Sequence, residues 1–182
     1  MIVGITGSQS TGKSTLFNLI RSDDRFRRFN HVSGITRNLK ETLKLSINED
    51  GDDITQLAIL NSHLQNYLKY RNSDLLCDRC ILDGLVYTTY LYYNKKVSEE
   101  VVNYAEFLTN KLVNKIDIIY YTELDVPLVD DGIRSVNNEF REMIGNLFEE
   151  AIDHYKLNVV RLKGSVEERK KIIYNTFDNH GK

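Results

Sequence analysis

A loop that joins an apolar strand to a helix near the start of the chain constrains the fold more than any other feature. Its sequence follows the pattern G-x-x-x-x-G-K-[ST], and its residues are Gly7, Ser8, Gln9, Ser10, Thr11, Gly12, Lys13 and Ser14. Residues 2–6 are suited to a buried strand, and residues 14–20 are suited to a helix. Glycines let such a loop turn its N–H groups toward one anion, and the helix N-terminus adds positive potential. In this context the pattern predicts a phosphate-binding loop.

The side chains of this loop have predictable roles toward a nucleotide. Lys13 would reach the outer phosphates of ATP, and Ser14 would bind Mg²⁺. We expect ATP to contact the whole loop, the adjoining Thr15, and Gly164 after the last predicted strand. A backbone turn at Gly164 could line the adenine ring. The alternative is a plain strand-to-helix turn in which Ser165 is the N-cap.

Apolar runs alternate with segments of helical periodicity along the chain. The predicted strands cover residues 2–6, 29–33, 75–78, 116–122 and 158–162. The predicted helices cover residues 14–21, 36–46, 54–70, 80–93, 98–114, 137–155 and 165–177. This alternation predicts an α/β protein with a three-layer P-loop NTPase fold, in which a five-stranded, mostly parallel sheet carries helices on both faces. Since no linker or repeat divides the 182 residues, we expect a single domain over 1–182.

Composition and charge disfavour several classes of partner. The net charge of −2 gives no sign of a nucleic-acid surface, so a nucleic-acid partner is not expected. No apolar run reaches the 18 or so residues of a membrane span. The first strand begins next to Met1 and leaves no room for a signal peptide, so we expect a cytoplasmic protein.

Two short patterns have simpler explanations than the sites they resemble. Cys77 and Cys80 are spaced C-x-x-C but lack the second ligand pair of a zinc site, so we expect two buried, reduced thiols. The segment 114–117 matches the guanine-reading N-K-x-D pattern. It precedes a predicted strand, whereas in small GTPases the motif follows one, so a guanine-specific switch is disfavoured.

A second group of candidate residues follows the third predicted strand. Ligands of parallel sheets bind at the carboxyl ends of strands. Asp78 at this end could bind a water of the Mg²⁺ shell or accept a proton from an attacking hydroxyl, and Arg79 could bind an anionic substrate. Asp83 and Tyr87 continue the same face and could bind sugar hydroxyls or stack on a flat ring. The alternatives are a surface Asp78–Arg79 ion pair and an aromatic core stripe of Tyr87 and Tyr90.

A third group surrounds the polar segment 125–136, which contains Gly132 and the single proline of the chain. Such a segment suits a lid that closes over the nucleotide and excludes water. Arg134 and Arg141 are seven positions apart, so both could face one cleft and stabilise the charge of a transferred phosphoryl group. A solvated basic face is the alternative.

With these motifs assembled, the sequence resembles the P-loop kinase-like AAA family, typified by the nicotinamide-riboside kinase domain of a bacterial NAD-salvage regulator. The strand end at Asp78-Arg79 is also similar to thymidylate and deoxynucleoside kinases. The resemblance rests on an ordered set of motifs: the loop with its S-T-L continuation at 14–16, Gln56-Leu57-Ala58, Asp78-Arg79-x-x-Leu82-Asp83-x-x-x-Tyr87, and Asp131-Gly132-x-Arg134.

The resemblance implies an ATP-dependent phosphotransferase of nucleotide metabolism or salvage, with Mg²⁺ and a nucleoside or nucleoside monophosphate as acceptor. The implied catalytic residues are Lys13, Asp78, Arg134 and Arg141, with Ser14 and Asp78 at the metal. The implied acceptor-binding residues are Arg37, Arg79, Asp83 and Tyr87.

The chain departs from the family pattern after the second strand. Members commonly carry Glu-x-x-Arg there, whereas this chain has Gly34-Ile35-Thr36-Arg37, which keeps the arginine and lacks the acid. Phosphorylated or otherwise modified nucleosides therefore stay open as acceptors. A homodimer and the use of GTP in place of ATP also stay open, and the small size fits a phage-type enzyme by analogy. The alternative functions are a polynucleotide 5′-kinase and a non-enzymatic, ATP-dependent switch that binds a partner.

Overall fold

The computed structural model describes residues 1–125 and 137–180, and in these residues five strands form one parallel sheet. The strands are β1 (Ile2–Thr6), β2 (Asn30–Val32), β3 (Leu75–Asp78), β4 (Ile118–Thr122) and β5 (Val159–Leu162). The helices are α1 (Lys13–Ile20), α2 (Ile35–Leu43), α3 (Asp53–Tyr70), α4 (Ile81–Tyr93), α5 (Glu99–Leu112), α6 (Asn138–His154) and α7 (Val166–Asn179). The predicted fold class is confirmed.

The strand order β2-β3-β1-β4-β5 places β1 at the centre of the sheet. All four pairings are parallel, so every strand presents its carboxyl end at the same edge. At this edge Ile5 is opposite Asp78 on one side, and Thr6 is opposite Tyr121 on the other. The loop after β1 therefore emerges between the ends of β3 and β4, where the candidate residues were predicted to meet.

Helices cover both faces of the sheet, so its central strands are apolar on both sides. One core lies between the sheet and helices α3 to α6, and it includes Leu60, Phe140 and Phe148, each 0–1% exposed. The other core packs α1 and α7 on the opposite face around Phe17 and Ile173. This three-layer packing holds the carboxyl edge of the sheet rigidly in place.

Helix α3 buries both apolar and polar side chains. Leu60, in the middle of its apolar row, is fully buried in the core, whereas Ile54 and Leu68 at the two ends of the row are 63% and 49% exposed. The buried positions of α3 also include the polar residues Gln56 and His63. These two positions face a polar cleft beside the sheet edge.

The predictions for the two short patterns agree with the structure. Cys77 and Cys80 are buried free thiols, and burial raises the pKa of Cys77 to about 12. The described residues contain no cluster of His, Cys, Asp or Glu that could hold a metal ion by itself. Asp117 of the N-K-x-D segment precedes β4 and accepts a hydrogen bond from the Ile2 backbone N–H at 2.6 Å, which is a structural role.

No helix in the described ranges is long and apolar enough to cross a membrane.

Candidate active site

The predicted phosphate loop connects β1 to α1, and its backbone geometry requires glycine at both ends. Gly7 has a φ of +134°, and a Cβ there would lie 2.5 Å from Thr122 Oγ1. Gly12 has a φ of +84° and precedes the first residue of α1. The four residues between these glycines are buried at the sheet edge. The loop would therefore bind an anion through its backbone N–H groups.

Lys13 is folded over this loop. Its side chain is 4% exposed, and Nζ donates to the Ser8 carbonyl and, at 3.2 Å, to Thr11 Oγ1. Thr11 Oγ1 also donates to the Ser8 carbonyl at 2.8 Å. The ammonium group therefore lies against the loop backbone, close to the groups predicted to bind phosphate.

Ser14 and Asp78 lie together although 64 residues separate them in the sequence. Ser14 Oγ donates to Asp78 Oδ2 at 2.8 Å. Asp78 is 9% exposed, and its Oδ1 is buried without a hydrogen-bond partner among the described residues. A hydroxyl oxygen and a carboxylate that converge beside a phosphate loop are ligands that Mg²⁺ prefers, with phosphate and water completing its shell. The residues present therefore fit the predicted metal.

Arg79 pairs with Asp83 and not with its neighbour in sequence. Arg79 Nη1 donates to Asp83 Oδ1 at 2.9 Å. The other carboxylate oxygen, Oδ2, accepts from Thr6 Oγ1 at 2.7 Å and from the Cys80 N–H at 2.9 Å. Arg79 also has a φ of +80°, a backbone conformation that a non-glycine residue adopts only at a cost. The alternative of a surface Asp78–Arg79 ion pair is wrong, since each residue has a different partner.

Tyr87 connects Arg79 to the phosphate loop. Its hydroxyl donates to Gln9 Oε1 at 3.0 Å, and burial raises its pKa, so it remains a donor. The Arg79 guanidinium lies 5.0 Å from the centre of the Tyr87 ring, within range of a cation–π contact. The rings of Tyr87 and Tyr90 also pack 6.0 Å and 4.7 Å from that of Phe140 in the core, as the aromatic-stripe alternative predicted.

A cavity of about 300 Å³ opens between the phosphate loop, α2, α3 and the start of α4. It brings together predicted residues from separate segments, namely Ser10, Lys13, Ser14, Arg37, Asp78, Arg79, Asp83 and Tyr87. Arg37 reaches the cavity from α2, which begins after Gly34. The predicted acceptor-binding residues therefore share one cavity, and the predicted metal ligands line its wall.

Sequence reasoning missed two polar residues of this cavity, Gln56 and His63 on α3. Gln56 Oε1 accepts a hydrogen bond from Thr88 Oγ1 at 3.0 Å. Burial lowers the pKa of His63 to about 4, so its imidazole is neutral near pH 7. Their spacing of seven residues, two turns of one helix face, was the available signal.

The predicted lid can be described only at its flanks. Arg134 and the rest of the segment 126–136 lie outside the described residues. Arg141 on α6 is 5% exposed, and its backbone carbonyl accepts from Ser8 Oγ at 2.8 Å. The first turn of α6 therefore packs directly on the phosphate loop. The burial of Arg141 excludes the alternative of a solvated face for this residue.

Gly164 lies on the far side of the phosphate loop from the cavity, in the turn after β5. Ser165 is the N-cap of α7, where its Oγ accepts from the Glu168 N–H at 3.3 Å, as predicted. The Gly164 carbonyl accepts from Arg169 Nε at 2.9 Å, and Arg169 Nη1 donates to the Thr11 carbonyl at 2.6 Å. Arg169 is a third residue that sequence reasoning missed, because nothing local distinguishes it from other charged residues of α7.

Comparison with protein families agrees with this geometry. Residues 2–169 match a family model described as an AAA domain. The chain belongs to this AAA domain family. The match spans the phosphate loop, the Asp78–Asp83 segment and the turn at Gly164, so the predicted family is confirmed. No curated protein matches this AAA domain chain significantly.

Solved structures share the fold of this AAA domain at low identity. A deoxyadenosine kinase from M. mycoides with products dCMP and a flexible dCDP bound has a TM-score of 0.66 and 17% identity, covering 98% of this chain and 99% of that one. The same kinase with bound dCTP has a TM-score of 0.68 and 19% identity, with the same coverage. The NadR protein in complex with NR has a TM-score of 0.77 and 17% identity, and the chain spans 52% of its length.

Proposed function

We propose that this chain is an ATP-dependent kinase that phosphorylates a nucleoside or a nucleoside monophosphate. The observation that carries the proposal is the contact of Ser14 with Asp78 beside Lys13, at the edge of a cavity lined by Arg79 and Asp83. A phosphate loop alone is common to many nucleotide-binding proteins. A loop whose metal ligands border an acceptor-sized cavity with charged walls supports phosphoryl transfer to a small molecule.

On the donor side, the backbone N–H groups of the loop and Lys13 would bind the phosphates of ATP. Ser14 and Asp78 would hold Mg²⁺, which supplies neutralisation of phosphate charge when it is bound. The turn at Gly164 would lie along the base. Arg141 and Arg134, on and before α6, would stabilise the charge of the transferred phosphoryl group.

On the acceptor side, the carboxylates of Asp83 and Asp78 differ in how many of their oxygens already accept hydrogen bonds. Both oxygens of Asp83 accept hydrogen bonds from protein groups, so Asp83 is suited to orient Arg79. Asp78 Oδ1 has no partner among the described residues, so it can accept the proton of an attacking hydroxyl. Arg79 and Tyr87 would then position the sugar of the acceptor.

Arg37 is the residue that would bind a phosphate group of the acceptor. Arg79 is already paired with Asp83, whereas the exposed Arg37 reaches the cavity and forms no ion pair with a described residue. An arginine of this kind suits an anionic group at the cavity mouth. The likeness to a deoxyadenosine kinase and to NadR with NR supports a nucleoside-like acceptor and leaves its base open.

An acceptor panel tests the proposal. The protein is incubated with ATP and Mg²⁺, alone or with nucleosides, nucleoside monophosphates or a 5′-hydroxyl oligonucleotide, and ADP release is followed. We expect release that depends on a nucleoside or a monophosphate and is lost in Lys13→Ala. Slow release that ignores the panel would indicate a nucleotide-dependent switch, and stimulation by the oligonucleotide alone would indicate a polynucleotide kinase. Either outcome would overturn the proposal.

A further inference from the structure

Arg169 on α7 has an unusual position for a charged residue. Its side chain is only 2% exposed, and it lies among the loops at the carboxyl edge of the sheet. It reaches three of them: Nη1 donates to the Thr11 carbonyl after β1, Nη2 to Asp125 Oδ1 after β4, and Nε to the Gly164 carbonyl after β5. One guanidinium group therefore connects the phosphate loop to the two loops beside it.

Asp125 completes this connection. Its second oxygen, Oδ2, accepts from the Gly164 N–H at 2.5 Å, so the carboxylate contacts both the guanidinium and the turn after β5. The Asp125 side chain is 31% exposed, so the buried charge is that of Arg169. Burying a charged group costs desolvation energy, and a well-packed apolar side chain in its place is often at least as stabilising. Stability alone therefore does not call for an arginine at this position, and the planar three-way donor geometry suggests a role in placing the loops.

The contact with Thr11 has a consequence for the phosphate loop. The carbonyl and the N–H of a trans peptide point in opposite directions. With its carbonyl held by Arg169, the Thr11–Gly12 peptide directs the Gly12 N–H away from α7. Arg169 Nη1 is also 3.7 Å from the place where a Cβ on Gly12 would lie, so the arginine packs directly behind the loop.

We propose that Arg169 is a positioning residue for the donor nucleotide, which fixes the separation between the phosphate loop and the Gly164 turn through its two carbonyl contacts. This inference rests on the proposed function, in which Gly164 lies along the base and the loop binds the phosphates. ATP spans both loops, so it binds best when their separation is set in advance. The acceptor cavity lies on the other side of the loop and does not include Arg169.

Binding titrations test this inference without relying on turnover. The affinities of Mg·ATP and of inorganic tripolyphosphate are measured for the wild type and for Arg169→Lys, which keeps the charge but cannot reach both carbonyls. We expect ATP affinity to fall about tenfold or more, as the loss of a charge-assisted hydrogen bond implies. Tripolyphosphate also binds the phosphate loop, whose Thr11 carbonyl Arg169 holds, so it should lose some affinity. Its loss should be smaller than that of ATP, because it does not reach the Gly164 turn.

Arg25→Lys is the matched control. Arg25 also binds α7, through Asp178, with Nε to Oδ1 at 2.8 Å, but it lies away from the phosphate loop. We expect this variant to keep the wild-type affinity for both ligands. If Arg169→Lys does not fold, Asp125→Asn replaces it, since it removes the partner charge at constant shape and should shift the ATP-to-tripolyphosphate affinity ratio in the same direction.

The proposal is overturned if Arg169→Lys binds ATP as tightly as the wild type. It is also overturned if the variant loses ATP and tripolyphosphate affinity by the same factor, which would indicate a general structural role. A wild type that binds ATP but transfers no phosphate would contradict the proposed function instead, so the two failures are distinguishable.

Discussion

His63 gives a prediction whose size follows from its burial beside the cavity next to the phosphate loop. The side chain is 8% exposed and lies near Asp83 and Arg79. Burial lowers its pKa to about 4, with a smaller opposing effect of the Asp83 carboxylate and a smaller reinforcing effect of the Arg79 cation. In the unfolded chain the same imidazole titrates near pH 6.5. The folded protein therefore holds His63 neutral in a pH range where the unfolded chain binds a proton.

The sign of the effect follows from proton linkage. As the pH falls from about 6.5 toward 4, the unfolded state takes up a proton that the folded state excludes, so the free energy of unfolding decreases. Above this range His63 is neutral in both the folded and the unfolded state, so it does not lower the free energy of unfolding. Between pH 7 and pH 5, the shift to about 4 corresponds to a loss of about 2 kcal/mol from this residue.

Urea unfolding followed by circular dichroism at pH 7 and pH 5 measures this loss. We expect His63→Leu to lose about 2 kcal/mol less stability on acidification than the wild type, whatever its stability at pH 7. The exposed His154 supplies the control substitution, His154→Asn. If His63→Leu shows the same decrease between pH 7 and pH 5 as the wild type, the assignment of a buried neutral imidazole is refuted.

Four further predictions concern the proposed reaction. Lys13→Ala should lower kcat by about 10²–10³ with an unchanged circular-dichroism spectrum, because it removes the cation nearest the transferred phosphate; near-full activity would contradict the phosphate-loop assignment. Asp78→Asn should lower kcat far more than it raises the KM for ATP in steady-state kinetics, and an unchanged kcat would reduce Asp78 to a binding role. Arg79→Ala should raise the acceptor KM while leaving the affinity for a non-hydrolysable ATP analogue nearly unchanged, and equal damage to both would place it on the donor side. Arg37→Ala should impair only phosphorylated acceptors if the enzyme is a monophosphate kinase, and equal impairment of all acceptors would give Arg37 a general shaping role.

The fold was predictable because its signals are local. The apolar runs of β1 and β3 matched the observed strands, since buried parallel strands require continuous apolar sequence. Differences were confined to ends: β4 begins at Ile118 and not at residue 116, and α2 ends at Leu43 because Lys44 adopts a φ of +57°. Such ends depend on single backbone conformations that composition does not specify.

The candidate site was predictable where the topology of a parallel sheet brings strand ends together. The meeting of Ser14 with Asp78 follows from that rule. The ion pair of Arg79 with Asp83 was not predicted, although their spacing of four residues permits it. Arg169 could not be found at all, since its role arises from three loops that are distant in sequence.

The proposed reaction transfers the terminal phosphate of ATP to a small acceptor. It is measured with ATP that carries an isotopic label in its γ-phosphate, and the label is followed by mass spectrometry in every member of the nucleoside and monophosphate panel. We expect the label to appear on one class of acceptor, in step with ADP, and Lys13→Ala to abolish it. Label found only in inorganic phosphate, at a rate that no acceptor changes, would contradict the proposed kinase activity.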